Sequence, residues 1–205
     1  AVYEVGDQLV EQRGSPRELK LAASILEKAA EKGLAPAQYR LGRLYEKGLG
    51  VDRDIALAKA WYERAARQGN VKAMHNLAVL YANGADGKPE YGAAAKWFRD
   101  AASYGLRDSQ FNLGVLLARG LGTQRNAVEA YRWFSIAAAQ GDAEAARKRD
   151  EVGRGLKAAD LKAAQEAATA WRPAPYNRAA NEAPSDAPQA ATTPPPGQRA
   201  SAEPR

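Results

Sequence analysis

A 36-residue period runs through most of the 205-residue chain and limits the folds that it can adopt. The clearest markers are four glycines at a constant spacing: Gly33, Gly69, Gly105 and Gly141. Tryptophans and leucines keep the same register: Trp61, Trp97, Trp133, Leu41, Leu77 and Leu113. A period of about 20–50 residues is typical of solenoids, in which each unit buries its apolar face against its neighbours.

Each unit is predicted to form two antiparallel helices. In the second unit, Ala37, Leu41 and Leu44 lie on one apolar stripe at helical spacing, and Gly48 follows as a helix terminator. The second helix of each unit carries aromatic and alanine positions and ends at the glycine marker, which is Gly69 in this unit.

Two local patterns sharpen the helix prediction. Residues 15–18, Ser-Pro-Arg-Glu, predict a capping box with proline at the first helical position. Gly42 and Gly114 fall inside first helices, where glycine costs about 1 kcal/mol relative to alanine. We therefore expect the paired helix to approach closely at both glycines.

The recurring residues closely resemble the Sel1-like repeat, a relative of the tetratricopeptide repeat. In the second unit the pattern is carried by Ala37, Leu41, Gly42, Tyr45, Gly48, Gly50, Trp61, Tyr62, Ala65, Ala66 and Gly69. The first unit departs from it with Ile25 in place of tryptophan, as is expected of a terminal repeat. The resemblance implies an all-α solenoid of four repeats, at about residues 1–36, 37–72, 73–108 and 109–144.

The chain is expected to divide into a solenoid, residues 1–171, and a tail, residues 172–205. Residues 145–171 are predicted to form capping helices, because a solenoid must cover its last apolar face. Eight of the eleven prolines lie in the last 34 residues, with almost no large apolar side chains. Such a segment buries too little surface to offset its ordering entropy, so a disordered tail or linker is predicted there.

The sequence predicts no enzyme, no cofactor and no metal site. The chain has no cysteine and one histidine, which leaves no thiolate chemistry and no conventional zinc ligand set. It has neither a phosphate-binding glycine loop ending in Lys-Ser/Thr nor a Gly-x-Ser-x-Gly elbow. A paired-carboxylate site stays open. His75 shares its repeat position with Tyr39 and Phe111, which favours an aromatic packing role, and the repeated tryptophans are likewise expected to pack rather than to bind sugars.

The polar face of the first helices is the predicted binding surface. By resemblance to tetratricopeptide proteins, this face lines the concave groove of the solenoid. Seven residues there are predicted to contact a partner: Arg40, Arg43, Lys47, Asn76, Asn83, Asn112 and Arg119. Asparagine can donate to and accept from a peptide backbone, whereas arginine and lysine pair with acidic groups. The alternative is a solvated face with incidental polarity.

Residues 70–89 and 108–114 resemble the Sel1 region of alphaproteobacterial polar-localisation factors of the PodJ type. That resemblance implies a non-catalytic scaffold in the periplasm, a protein or peptide partner, and a membrane segment outside this chain. We expect a monomer; a cytoplasmic location stays open. Two further alternatives are a peptidoglycan-binding module and a regulatory subunit of an envelope enzyme. The net charge of +6 is spread among acidic residues and forms no basic stripe, so nucleic acid binding is not predicted.

Overall fold

The computed structural model describes residues 15–85 and 87–182, and within these ranges every regular element is a helix. Ten helices follow one another along the described chain: α1 Pro16–Glu31, α2 Ala35–Lys47, α3 Ile55–Arg67, α4 Val71–Asn83, α5 Tyr91–Ser103, α6 Arg107–Arg119, α7 Ala127–Ala139, α8 Ala143–Gly153, α9 Ala158–Ala170 and α10 Arg178–Asn181. The first helix of the first predicted repeat lies outside the described residues.

The helices stack as the repeat predicts. Within the second, third and fourth units, α2 packs against α3, α4 against α5, and α6 against α7. Each second helix also packs against the first helix of the next unit, so the core continues along the stack. The prediction of an all-α solenoid of antiparallel helix pairs is confirmed.

The helix ends follow from local sequence. Gly48, Gly84 and Gly120 adopt left-handed backbone conformations directly after α2, α4 and α6, where glycine avoids the steric cost of a Cβ atom. At the start of α1, the Glu18 amide donates to Ser15 Oγ at 3.4 Å, and the Ser15 amide donates to Glu18 Oε2 at 2.6 Å. The predicted capping box is therefore present.

Small residues inside the first helices admit aromatic rings from the second helices. A Cβ atom on Gly42 would lie 2.7 Å from the Tyr62 ring, and one on Gly114 would lie 2.7 Å from the Phe134 ring. These distances are shorter than van der Waals contact, so the backbone approaches the ring more closely than alanine would permit. The prediction of close helix approach at these glycines is confirmed.

The deepest aromatic positions lie one residue after the tryptophans. Tyr62 and Phe134 are almost completely inaccessible to solvent, whereas Trp61 and Trp97 are half-buried. Trp97 packs against two neighbouring hydrophobic clusters, and Trp133 is buried. The repeated tryptophans therefore pack against the core, as predicted, but two of the three lie at its edge.

The two helices of the predicted cap, α8 and α9, both pack on α7 of the last repeat. α8 packs against α7 as a further first helix would, but α9 also packs on α7 instead of forming a regular pair with α8. Trp171, which follows α9, meets Trp133 edge to face with ring centroids 6.2 Å apart. This aromatic contact anchors the end of α9 to the fourth repeat.

Residues 171–182, which we call the strap, run back along the repeats. The Ala174 amide donates to the Ser103 carbonyl oxygen at 2.8 Å, and Pro173 lies beside Gly105. Further along, Ala180 is buried against the cluster that includes Ala35. The prediction of disorder is therefore wrong for residues 172–182, while residues 183–205 lie outside the described part of the chain.

Asparagine side chains attach the strap to the turn around Gly69. Asn181 accepts from the Val71 amide at 2.8 Å and donates to the Gly69 carbonyl oxygen at 2.9 Å. In return, Asn70 donates to the Ala180 carbonyl oxygen at 2.6 Å. These bonds satisfy backbone groups on both segments, which explains why a proline-rich stretch with little apolar surface is ordered.

Candidate partner-binding groove

A shallow depression lies between the first helices α4 and α6. Its volume is about 190 Å³, and we call it the amide depression because two asparagines border it. Asn83 and Asn112 lie beside Val79 and Val115, with Phe98 beneath. The helical register of the first helices thus brings predicted residues from two repeats into one site.

A second, larger cavity adjoins it between α6 and α8. This cavity, the cationic pocket, has a volume of about 340 Å³ and shares Val115 with the amide depression. Apolar lining comes from Val115 and Val152, among others, and charged lining comes from Arg119, Arg125 and Lys148 with one acid, Glu151. The two cavities lie on either side of Val115, and together we call them the groove.

Two of the three cations of the pocket are held in place from within the chain. Lys148 Nζ lies 2.8 Å from Glu151 Oε2, and Arg125 Nε donates to the Ala118 carbonyl oxygen at 3.1 Å. The hydrogen bond and charge of Lys148, with the charges of Arg154 and Arg119, hold the pKa of Glu151 below its usual value. Glu151 is therefore a carboxylate at neutral pH, and the pocket's described lining still carries three cations against one acid.

Asn76 lies in a different environment from Asn83 and Asn112. Its amide nitrogen donates to the Tyr62 hydroxyl at 3.1 Å, and that hydroxyl donates to Glu46 Oε2 at 2.6 Å. Burial, followed by the bond to Glu46, raises the pKa of Tyr62, so the phenol keeps its proton. Asn76 thus belongs to a network that links α2, α3 and α4, and it does not line the amide depression.

The predicted cations of α2 are already engaged within the chain. The Arg43 guanidinium lies 6.0 Å from the centre of the Tyr39 ring, and Lys47 Nζ lies 3.1 Å from Glu46 Oε1. Arg40 is half-buried and also has an interaction partner within the chain. These three residues do not line either cavity of the groove, whereas Arg119 does.

Arg125 and Lys148 are functional candidates that the sequence prediction missed. Arg125 lies in the turn after α6, and its bond to Ala118 repeats the bond of Arg53 to Glu46 two units earlier. That recurrence was available as a signal in the sequence. Lys148 comes from α8, which had been assigned to the cap alone.

His75 occupies the expected aromatic slot and adds a polar contact. Its ring meets Phe98 edge to face with centroids 5.7 Å apart. In the neighbouring repeats the corresponding pairs, Tyr39 with Tyr62 and Phe111 with Phe134, are tilted at 5.9 and 5.7 Å. Its Nδ1 lies 2.8 Å from the hydroxyl of Ser109, which is fully buried. This contact gives the buried serine hydroxyl a partner, and alanine stands at the corresponding position of the other repeats, for example Ala73.

We expect His75 to make the fold less stable in mild acid. Burial lowers the pKa of His75, although the charge of Asp108 partly opposes this. The unfolded chain therefore binds a proton at His75 more readily than the folded chain does. The contribution of neutral His75 to folding stability is thus fully present above about pH 6.5 and is lost as pH falls below that value. Between about pH 7 and pH 5, wild type should lose more thermal stability than a His75→Phe, Ser109→Ala chain. Equal losses in parallel thermal melts would contradict the assignment.

The described residues offer no group of three or more His, Asp or Glu side chains arranged to hold a metal ion. Nor does any helix in residues 15–85 and 87–182 have the length and apolar character required to span a bilayer. The groove itself presents amide groups, charged side chains and small apolar side chains.

Comparison with known families accounts for the repeat. Four stretches match the Sel1 repeat: residues 1–34, 35–70, 71–105 and 107–142. The chain is a Sel1 repeat protein. The last three matched stretches of this Sel1 repeat protein begin at residues 35, 71 and 107, two residues before the repeat boundaries predicted at 37, 73 and 109.

A solved structure resembles this Sel1 repeat protein over most of its length. The Sel1 repeat protein from Oxalobacter formigenes has 27% sequence identity and a TM-score of 0.66, with 82% of this chain and 71% of that chain covered. A protective antigen of uropathogenic Escherichia coli with an SLR fold has 26% identity and a TM-score of 0.47, over 83% of this chain and 44% of that one. No curated protein sequence matches significantly. Sel1 repeat proteins generally act as non-catalytic scaffolds that bind other proteins.

Proposed function

We propose that this Sel1 repeat protein is a non-catalytic scaffold that binds an extended segment of a partner protein in the groove. The observation that carries the proposal is the juxtaposition of Asn83 and Asn112 with Val79 and Val115 in one depression. Amide side chains can pair with a partner's backbone, and small apolar side chains leave room for its side chains. Stacking of the repeats brings these residues together, and their chemistry suits an extended peptide.

We further propose that the partner belongs to a bacterial cell-polarity complex in the envelope and that the groove lies in the periplasm. Support comes from the likeness of residues 70–89 and 108–114 to polar-localisation factors of the PodJ type. A periplasmic domain of this kind would be attached to a membrane segment elsewhere in its protein. A scaffold at the pole would bring its partner to that site without chemical change.

Site-specific photo-crosslinking in the natural host tests whether a partner occupies the groove. A photoreactive amino acid at position 83 or 119 should capture the same protein, because both side chains border the groove and are exposed. The same amino acid at Ala56, which is exposed on α3, should not capture it. Capture from position 56 alone would place the partner elsewhere. Recovery of peptidoglycan fragments, or of an intact hydrolase, would favour one of the alternative functions.

Removing the two amides should weaken binding of the captured partner. An Asn83→Ala, Asn112→Ala chain should lose about 30-fold in affinity, since each of the two lost hydrogen bonds contributes on the order of 1 kcal/mol. We choose Asn83 over Asn76 because Asn76→Ala would also remove the bond to the Tyr62 hydroxyl. Titration calorimetry with the purified partner measures the loss, and circular dichroism confirms the helices. Unchanged affinity would show that the amide depression does not bind the partner.

A further inference from the structure

We infer that the cationic pocket binds an acidic segment of a protein partner, with one apolar side chain seated between flanking carboxylates. This inference rests on the proposed function of the groove and specifies the chemistry of its partner. The partner is a protein segment because Val115 lines both the pocket and the amide depression, so that one extended chain contacts the cations and the amides together.

The charge of the pocket favours carboxylates. Arg119 lies on the last turn of α6, Arg125 on the following turn and Lys148 on α8, so three separate segments of chain contribute cations to one cavity. Glu151 is the one acid among the described lining residues, and it is already paired with Lys148. A converging set of like charges raises the local concentration of the opposite charge and selects against basic segments.

The floor of the pocket favours an apolar side chain. Val115, Ala118 and Val152 line it, and the nearly inaccessible Phe134 ring lies beneath. The volume of about 340 Å³ falls within the range of about 300–1,000 Å³ that is typical of ligand pockets. An aliphatic side chain can enter this space while acidic neighbours on the same segment reach the rim.

The opposite end of the first-helix surface lacks this combination. On α2, the Arg43 guanidinium stacks near Tyr39 and Lys47 pairs with Glu46, and neither residue lines a groove cavity. The acidic part of a bound segment should therefore lie over α6 and α8, and its backbone should continue across Asn83 and Asn112. The inference therefore predicts which part of the bound segment is acidic: the part that lies over α6 and α8.

Selection from a random-peptide display library with the full chain tests the inference. Wild type should enrich peptides in which an apolar residue is flanked by Asp or Glu. An Arg119→Glu, Lys148→Glu chain should bind these peptides at least about tenfold more weakly, because the described lining of the pocket would then carry three acids and one cation. Affinity for wild type should also fall between about 50 and about 500 mM NaCl, since both cations are accessible to salt. Fluorescence anisotropy with the enriched peptides, synthesised and labelled, measures both effects.

Control variants separate the pocket from overall charge and from folding. Arg67→Glu with Lys162→Glu makes the same change in net charge at exposed positions on α3 and α9, and it should leave affinity unchanged. Arg119→Gln with Lys148→Gln should give an intermediate loss and avoids introducing new acids beside Glu151. Circular dichroism of each variant establishes that the helices persist.

Any of three results would overturn the inference. Enriched peptides without an acidic excess, or peptides that bind the charge-reversed chain as tightly as wild type, would show that the cations do not select the partner. If such peptides still lose affinity for the Asn83→Ala, Asn112→Ala chain, the groove function stands and only its acid preference fails. If no peptide is enriched, the inference also fails, and photo-crosslinking then decides the proposed function independently.

Discussion

The free energy of unfolding of a Gly122→Ala chain is expected to be about 3 kcal/mol lower than that of wild type. Gly122 lies in the turn between α6 and α7 with a φ of +64°, a left-handed conformation that costs a residue with a side chain about 1–2 kcal/mol. In addition, a Cβ atom there would overlap the backbone of Tyr91 and Gly92 at the start of α5. The turn of one repeat rests directly on a helix of the previous repeat, so relieving the clash requires the backbone of the turn or of the start of α5 to move.

Gly141→Ala provides the matched control. Gly141 also has a left-handed backbone, with a φ of +88°, but a Cβ atom there would meet nothing within 4 Å. It should therefore incur only the conformational cost, about 1 kcal/mol. Urea unfolding followed by circular dichroism compares the three chains at equal protein concentration. Equal losses for the two alanine variants would show that contact with Tyr91 and Gly92 does not hold the repeats together.

This pair also shows how far the repeat pattern predicts the fold. Helix boundaries follow from residues close in sequence, as at Gly48, Gly84 and Gly120, where a left-handed glycine is required. The period then predicts which helices stack, since every unit must bury the same apolar positions. The pattern does not reveal which recurring glycines also touch a neighbouring repeat, because this depends on the turn's path in space.

The strap was missed for a physical reason. Its attachment depends on hydrogen bonds between Asn177, Asn181 and the backbone of residues 68–71, and backbone groups leave no trace in side-chain periodicity. Its apolar contribution is small, consisting mainly of Ala180 and the ring of Trp171. Composition alone therefore favoured disorder, although the turn around Gly69 supplies enough polar partners to order the segment.

The groove was predicted in part. Helical spacing identified Asn83, Asn112 and Arg119 because these residues lie on the exposed face of regular first helices. The same spacing suggested Asn76, but its place in the network depends on the Tyr62 hydroxyl, which the repeat pattern treats as another aromatic ring. Binding by these residues stays a prediction, and so do the contributions of Arg40, Arg43 and Lys47.

A Phe134→Ala chain is expected to lose about 3–5 kcal/mol of unfolding free energy, more than a Trp61→Ala chain, which should lose about 2 kcal/mol. Phe134 is 1% exposed, lies against Gly114 and belongs to the largest hydrophobic cluster of the described chain, so its removal leaves a cavity that helices cannot easily fill. Trp61 is larger but half-buried at the edge of the core, with the Arg64 guanidinium 4.6 Å from its ring.

Urea unfolding of the two variants and wild type tests whether Phe134→Ala loses more stability than Trp61→Ala. An unchanged slope of the unfolding free energy against urea concentration would show that the same part of the chain unfolds in all three proteins. The comparison is informative because the tryptophans are the more conspicuous recurring residues in the sequence. A larger loss for Trp61→Ala would mean that the interfaces between repeats, rather than the ring buried inside each helix pair, dominate the stability of the solenoid. Within a stack stabilised mainly by nearest-neighbour contacts, that result would also predict a greater loss for Trp97→Ala, since Trp97 packs against two clusters.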